Sequence, residues 1–110
     1  MQDMIYIWGT GNVAKQIIKS GINAEIIAFI ETNPTKEEFA KKKVITYLQL
    51  PCEAIVLVAN TYGDEIFECL KKTKVKMENC IFYCTCRKAD PNTNLELAKR
   101  IFSEKSYNIY

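Results

Sequence analysis

Histidine is absent from this 110-residue chain. Its absence excludes Ser-His and Cys-His dyads and a histidine general base, so lysine, tyrosine and carboxylate side chains are left for acid–base chemistry. Long hydrophobic runs are absent as well, because an apolar segment such as residues 54–59 is far too short to cross a bilayer. Residues 1–3 contain no basic segment and lead straight into a predicted strand, so no signal peptide is expected.

Neither sign of charge is in large excess. The formal net charge is +2 at pH 7, which is too small to favour a nucleic acid or an anionic membrane surface as a partner. Charged residues make up 25% of the chain and hydrophobic residues 48%, as is usual for a globular protein. We expect a single domain over residues 1–110, located in the cytoplasm.

The five cysteines are expected to be reduced thiols, because no secretion signal accompanies them. Cys80, Cys84 and Cys86 cluster late in the chain, but their spacing is not a common zinc pattern and no histidine is available as a further ligand. Residues 80–84 are typical of a strand, in which cysteine serves as a small apolar side chain. No metal site is therefore predicted.

The most informative segment begins with an apolar run, residues 4–8, that predicts a buried strand. The run continues directly into a Gly-x-Gly-x-x-Ala pattern, Gly9-Thr10-Gly11-Asn12-Val13-Ala14. Gly9 allows a tight turn out of the strand, Gly11 lets a phosphate approach the backbone, and Ala14 lets the following helix lie close to the strand. Free amides at the start of that helix favour an anion. The segment predicts the first strand–turn–helix unit of a dinucleotide-binding fold.

An acidic residue occupies the position expected for ribose binding. Glu31 ends a second apolar run, residues 26–30, and lies 20 residues beyond Gly11. A carboxylate there accepts hydrogen bonds from ribose hydroxyls and repels a 2′-phosphate, which favours NAD over NADP. A plainer interpretation stays open, in which the glycines only form the turn and Glu31 only ends a strand in solvent. The candidate cofactor-binding residues are Gly9, Thr10, Gly11, Asn12, Val13, Glu31, Thr32, Asn60 and Thr61.

Strands and helices alternate along the chain. Strands are expected at about 4–8, 25–30, 44–46, 54–59 and 80–84, and helices at about 12–20, 64–72 and 94–103. Between the second and third strands Phe39 is the one large apolar residue, and Thr35 with Glu38 forms a capping-box pattern for a short helix. One further helical turn is expected at residues 47–50, ended by Pro51.

This alternation predicts an α/β fold, Rossmann-like and three-layered, with a parallel sheet of about five strands in the order 3-2-1-4-5. Strands 1 and 4 then flank the switch point, outside which ligands bind at the carboxyl ends of the strands. The loops at residues 9–13, 31–33 and 60–62 would meet at that edge. The expected site is formed by these three loops, and no catalytic residue is assigned.

The chain resembles a bacterial family of small Rossmann-like domains at the front of surface-sugar enzymes, namely sugar O- or N-acetyltransferases, polysaccharide methyltransferases, and nucleotide-sugar dehydratases or epimerases. The resemblance covers roughly residues 4–84. It is carried by YIWGTGNVA (6–14), IAFIETN (27–33), KVI (43–45), IVLVA (55–59) and EIFECL (65–70). It implies a nucleotide, nucleotide-sugar or NAD site at the glycine turn, with the chemistry in a separate downstream domain.

Three hypotheses of function follow. The first is a domain that binds NAD or a nucleotide-sugar in surface-glycan biosynthesis and has no complete active site of its own. The second is an NAD-dependent nucleotide-sugar-modifying enzyme or a sugar methyltransferase, with Tyr62 or Lys15 near the substrate and a homodimer completing the site. The third is a ligand-free structural or interaction module of a larger methyltransferase, glycosyltransferase or dehydratase, with the last helix packed on a partner, such as a downstream catalytic domain, or on a second copy. Packing of that helix on its own sheet is the alternative. Its apolar residues are Leu95, Leu97, Ile101 and Phe102.

Overall fold

The computed structural model describes residues 3–83 and 95–102. Their strands and helices are, in chain order, β1 (Asp3–Trp8), α1 (Asn12–Ser20), β2 (Ala24–Ile30), β3 (Glu38–Phe39), β4 (Lys42–Ile45), β5 (Ile55–Val58), α2 (Gly63–Lys71), β6 (Cys80–Phe82) and α3 (Leu95–Ile101). Short 3₁₀ helices span Tyr47–Gln49 and Met77–Asn79. The predicted helical turn before Pro51 is thus present. Predictions made for Cys84 and Cys86 lie outside the described residues.

The strands form one sheet in the order β3-β4-β2-β1-β5-β6. Neighbouring strands from β4 to β6 pair in parallel, so the five predicted strands lie in the predicted order. The sheet differs from the prediction at one edge, where β3 pairs antiparallel with β4. The architecture is therefore an α/β fold with a mixed, six-stranded sheet rather than a purely parallel, five-stranded one.

A β3–β4 hairpin replaces the short helix predicted between the second and third strands. Ala40 and Lys41 form its turn in the left-handed region, with φ of 48° and 66°. A helix here would have had only Phe39 to bury, and a single large side chain makes no apolar stripe. In the hairpin Phe39 instead packs edge-on against Phe29, with ring centroids 4.8 Å apart. Tertiary burial of this one ring outweighs the local capping pattern.

Helices cover both faces of the sheet. Side chains of β1 alternate between two buried clusters, with Ile5 and Ile7 in one and Trp8 in the other. α1 and α3 contribute to the first cluster, and α2 contributes to the second. The buried helix residues are Ala14, Ile17, Leu97 and Ile101 in the first cluster and Ile66 and Leu70 in the second. Burial on both faces explains why β5 is a continuous apolar run.

Helix α3 docks on its own sheet, which was one of the two alternatives for this segment. Its buried side chains, each at most 8% exposed, are Leu97, Ile101 and, just beyond the helix, Phe102. The Asn23 amide donates a hydrogen bond of 2.6 Å to the Ile101 carbonyl. The Arg100 guanidinium donates two hydrogen bonds of 3.2 Å to the carboxylate of Asp3. These apolar side chains are consequently not a free surface for a partner.

Candidate functional site

The ends of β1, β2 and β5 are joined by backbone hydrogen bonds at the carboxyl edge of the sheet. The Gly9 amide donates to the carbonyl of Ile30, which ends β2, at 2.9 Å. The Ala59 amide, just after β5, donates to the carbonyl of Trp8 at 2.9 Å. The three loops predicted to form the site therefore begin side by side.

Gly9 is required by the fold itself. Its φ is +131°, a conformation that side chains with a Cβ rarely adopt. A Cβ on Gly9 would also overlap the carbonyl oxygen of Ala59, because the turn passes directly against the end of β5. The role predicted for the first glycine, a tight turn out of the strand, is thus explained by contacts within the chain.

Gly11 is not required by the fold. Its φ of −97° and ψ of −156° are extended values that any residue adopts. A Cβ placed on Gly11 would have no atom within 4 Å beyond its chain neighbours. The residue is exposed and stands as the N-cap of α1. The missing side chain therefore leaves open space directly in front of the helix.

The first turn of α1 offers free donors to that space. The amides of Asn12 and Val13 have no intrahelical acceptor by helix geometry, and no side chain caps this end of the helix. The first turn also contains no acidic residue, whereas α2 has Asp64 and Glu65 there. The partial positive charge of the α1 N-terminus is consequently not offset within its own first turn.

Both carboxylate oxygens of Glu31 accept hydrogen bonds from the protein. The Thr10 hydroxyl donates to Oε2 at 2.9 Å, which links the glycine turn to the end of β2. The Thr35 amide donates to Oε1 at 3.0 Å, and the Thr35 hydroxyl donates to the same oxygen at 3.4 Å. Glu31 therefore does not simply end a strand in solvent. Its hydrogen bonds connect the segment before β3, residues 32–37, to the glycine turn at residues 9–11.

The protonation of Glu31 reflects these contacts. Partial burial raises the pKa of the carboxyl group, but hydrogen bonds from the Thr35 amide and the Thr10 hydroxyl and the charge of Lys36 outweigh burial. The net result is a pKa below the ordinary value of 4.5. Glu31 is thus held as a carboxylate at neutral pH.

Lys36 is a site residue that the sequence prediction missed. Its ammonium Nζ lies 3.3 Å from the Thr10 hydroxyl oxygen and 5.4 Å from the centroid of the Phe39 ring. The sequence alone places Lys36 in a charged, solvated segment five residues after Glu31, with nothing to mark it. The β3–β4 hairpin and the hydrogen bonds between Glu31 and Thr35 together place this segment beside the glycine turn, and neither contact has a signal in the sequence.

A groove of about 490 Å³ lies next to Lys36. Its walls come from the segment before β3, from β4 and from the following 3₁₀ helix. It is lined by Pro34, Thr35, Lys36, Glu37, Val44, Ile45 and Gln49. Its volume falls in the range of small-molecule sites, roughly 300–1,000 Å³. Its lining combines apolar side chains with polar and charged ones of both signs.

The other predicted site residues lie at the same edge of the sheet but form fewer hydrogen bonds. The Asn60 side-chain oxygen accepts a hydrogen bond of 2.8 Å from the Tyr62 amide, which shapes the start of α2. Thr32 and Thr61 are exposed, and their side chains form no hydrogen bond within the described part of the chain. Tyr62 is 63% exposed. Lys15, the other residue of the enzyme hypothesis, is exposed on α1.

The described cysteines are free thiols, with no disulfide between them. Cys80 is fully buried in β6, and burial raises its pKa to about 12. Cys52 is exposed and donates to the Glu53 carboxylate at 3.1 Å. Among residues 3–83 and 95–102, no group of histidine, cysteine or acidic side chains could hold a metal ion. The core role predicted for Cys80 is confirmed.

Comparisons with protein-family models, with curated proteins and with solved structures found no match to this chain. The resemblance noted from the sequence therefore remains an expectation. Within the described ranges, no helix has both the length and the apolar character needed to cross a bilayer.

Proposed function

We propose that this chain is a nucleotide-binding domain of the Rossmann-like, three-layer type that takes NAD or a nucleotide-sugar at the carboxyl edge of β1, β2 and β5. The observation that carries the proposal is the contrast between Gly9 and Gly11. Gly9 is required by the chain's own backbone and contacts, whereas Gly11 has ordinary backbone angles and open space where a Cβ would lie. A ligand phosphate in the open space before α1 would account for the second glycine.

The surroundings of Gly11 support an anionic group. The amides of Asn12 and Val13 point out of an uncapped helix end, and the positive end of the helix dipole acts at the same place. The ammonium of Lys36 lies at the turn through its contact with Thr10. Together these groups supply donors and positive charge without any metal ion.

The biological setting is proposed on the sequence alone. The resemblance favours bacterial surface-glycan biosynthesis in the cytoplasm, with catalysis by a downstream domain, or by a site that a second copy completes. The chain has no histidine to act as a general base, and Tyr62 and Lys15 are both exposed. A binding role is therefore preferred to an independent enzyme.

One observation favours a second candidate, a ligand-free structural or interaction module. Both oxygens of the Glu31 carboxylate already accept hydrogen bonds from Thr10 and Thr35. Because the protein itself supplies hydrogen bonds to this carboxylate, the site can be stable without a ligand. In that case the glycine turn serves only to connect β1 and α1.

A thermal-shift screen with NAD, NADP, coenzyme A and UDP-sugars separates the two candidates. A ligand at 100 times its Kd stabilises the folded state by about 2.7 kcal/mol, which corresponds to a shift of several degrees in a domain of this size. Gly11→Val should fold but lose the shift. Gln16→Val, an exposed β-branched substitution later in α1, is the matched control and should keep it. A shift that persists in folded Gly11→Val contradicts the proposed phosphate position.

A further inference from the structure

We propose that the ammonium group of Lys36 contacts the bound ligand in this site. Glu31 acts as a positioning residue, because its hydrogen bonds hold the segment that contains Thr35 and Lys36 against the glycine turn. The inference rests on the proposed function and deepens it, because it names the side chain that meets an anionic group of the ligand. It also changes the role that sequence patterns give to Glu31, which is direct contact with a ribose.

The hydrogen bonds of the Glu31 carboxylate connect two separate segments of the chain. Oε2 accepts from Thr10 in the turn, and Oε1 accepts from the amide and the hydroxyl of Thr35. The carboxylate therefore ties the residue before Lys36 to the residue between Gly9 and Gly11. These three donors leave about one of the four acceptor sites of the carboxylate open, on Oε2, so a ribose hydroxyl could form at most one further hydrogen bond with Glu31.

Lys36 is held at the turn by two further contacts. Its Nζ lies 3.3 Å from the Thr10 hydroxyl oxygen and over the face of the Phe39 ring, 5.4 Å from the centroid. Thr10 gives its single hydroxyl hydrogen to Glu31, so it accepts from the ammonium. An ammonium has three N–H donors, and only one is directed at Thr10. The remaining donors are available to a phosphate at the turn.

The groove beside Lys36 gives the ligand a second point of attachment. Val44, Ile45 and Pro34 provide apolar surface to this groove. Gln49 uses its side-chain oxygen to accept from the Thr46 amide, which leaves its amide hydrogens as donors. A volume of about 490 Å³ suits a flat heterocycle of nucleoside size. The ligand class is therefore a nucleotide whose phosphate meets Lys36.

The test uses inorganic pyrophosphate, ADP and 2′-deoxy-ADP as probes in calorimetric titrations of the full chain. Lys36→Met should weaken pyrophosphate and ADP by at least about tenfold, as expected for the loss of a charge-assisted hydrogen bond. Lys72→Met is the matched control, because Lys72 follows α2 and lies at the opposite end of that helix from the site. It should leave both affinities unchanged. Melting temperatures of both variants verify that they are folded.

The nucleoside probes test the role of Glu31. If Glu31 acts through position only, the wild type should bind ADP and 2′-deoxy-ADP equally, and Glu31→Gln should change their affinities by the same factor. A loss for 2′-deoxy-ADP that disappears in Glu31→Gln would show that Glu31 holds the ribose, which overturns the positioning role.

The outcomes for the inference and for the proposed function are distinct. Equal affinities of wild type and Lys36→Met for both phosphate probes would overturn the inference but leave nucleotide binding intact. Absence of binding of ADP and pyrophosphate to the wild type would overturn both and favour the ligand-free module.

Discussion

Thr10 and Glu31 are joined by a hydrogen bond of 2.9 Å between the hydroxyl and carboxylate oxygen Oε2. The bond links the glycine turn after β1 to the end of β2, and it spans 21 positions of sequence. Because Thr35 occupies the other carboxylate oxygen, one side chain orders three segments at the carboxyl edge of the sheet. The stability of this edge should therefore depend on the charge of Glu31.

The first prediction concerns pH. The pKa of Glu31 is lowered in the folded state, so its stabilising contribution is complete above the unfolded value and is lost as pH falls through the folded value. Stability should decrease as the pH falls below about 4.5. Glu31→Gln should be less stable than the wild type at pH 7 and should show a smaller decrease in that range. Urea unfolding at a series of pH values measures both effects.

Glu25→Gln serves as the control for this pH series. Glu25 lies on the same strand, β2, and is exposed. The substitution should leave the pH dependence close to that of the wild type. If Glu25→Gln and Glu31→Gln reduce the acid-induced loss equally, the contacts to Thr10 and Thr35 do not stabilise the carboxylate.

The second prediction compares the two glycines of the turn. Gly9→Ala should destabilise the fold by roughly 2–4 kcal/mol, because it combines a strained backbone with overlap at the Ala59 carbonyl oxygen. Gly11→Ala should change stability by less than about 1 kcal/mol, since a poorer N-cap is offset by the lower entropy of the unfolded chain. Guanidinium unfolding gives both values. A large loss for Gly11→Ala would indicate a structural need for this glycine.

Much of the sheet could be predicted from sequence because its signals are local. The strand β1 is a continuous apolar run, α1 follows a glycine turn, and β5 is apolar at every position because both of its faces are covered. Crossover connections of one hand limit the possible topologies, and the glycine motif after β1 indicates the order of the five predicted strands. The meeting of Thr10 with Glu31 at one edge follows from that order.

The rest depended on contacts between residues distant in sequence. The hairpin forms because Phe39 finds Phe29, and neither residue indicates the other in the sequence. Lys36 reaches the turn through that hairpin and through the hydrogen bonds between Glu31 and Thr35, so the sequence showed it only as part of a charged segment. Tyr47 likewise stacks on Trp8 with centroids 5.6 Å apart, a contact without a sequence signal.

The third prediction tests the docking of α3. Ile101 is 0% exposed, so Ile101→Ala should destabilise the chain by roughly 2–5 kcal/mol through lost burial and a cavity. Arg100→Ala removes the exposed ion pair with Asp3, which solvent screens, and should cost much less than Ile101→Ala. Urea unfolding of both variants measures the difference. A negligible effect of Ile101→Ala would mean that α3 is detached from the sheet in solution.

The fourth prediction concerns thiol reactivity at about pH 8. Burial raises the pKa of Cys80 to about 12, and the reactive thiolate is therefore both scarce and inaccessible. Iodoacetamide should label Cys52 in the folded chain and should label Cys80 only after unfolding in urea. Glu53→Gln should accelerate labelling of Cys52, because the hydrogen bond to Glu53 raises the pKa of that thiol. Mass spectrometry of the peptides reports each rate, and rapid labelling of native Cys80 would contradict its burial.

The last prediction concerns the choice between NAD and NADP. An uncompensated carboxylate at the end of β2 would repel a 2′-phosphate, but the ammonium of Lys36 and the carboxylate of Glu31 both lie beside Thr10, and their charges offset each other. We therefore expect the wild type to bind the two cofactors with affinities within about tenfold. Lys36→Met leaves the carboxylate without its cation and should weaken NADP more than NAD. Calorimetric titration of both cofactors at one ionic strength measures these affinities. A preference of the wild type for NAD by about a hundredfold or more would show that Glu31 faces the ribose with its charge unscreened.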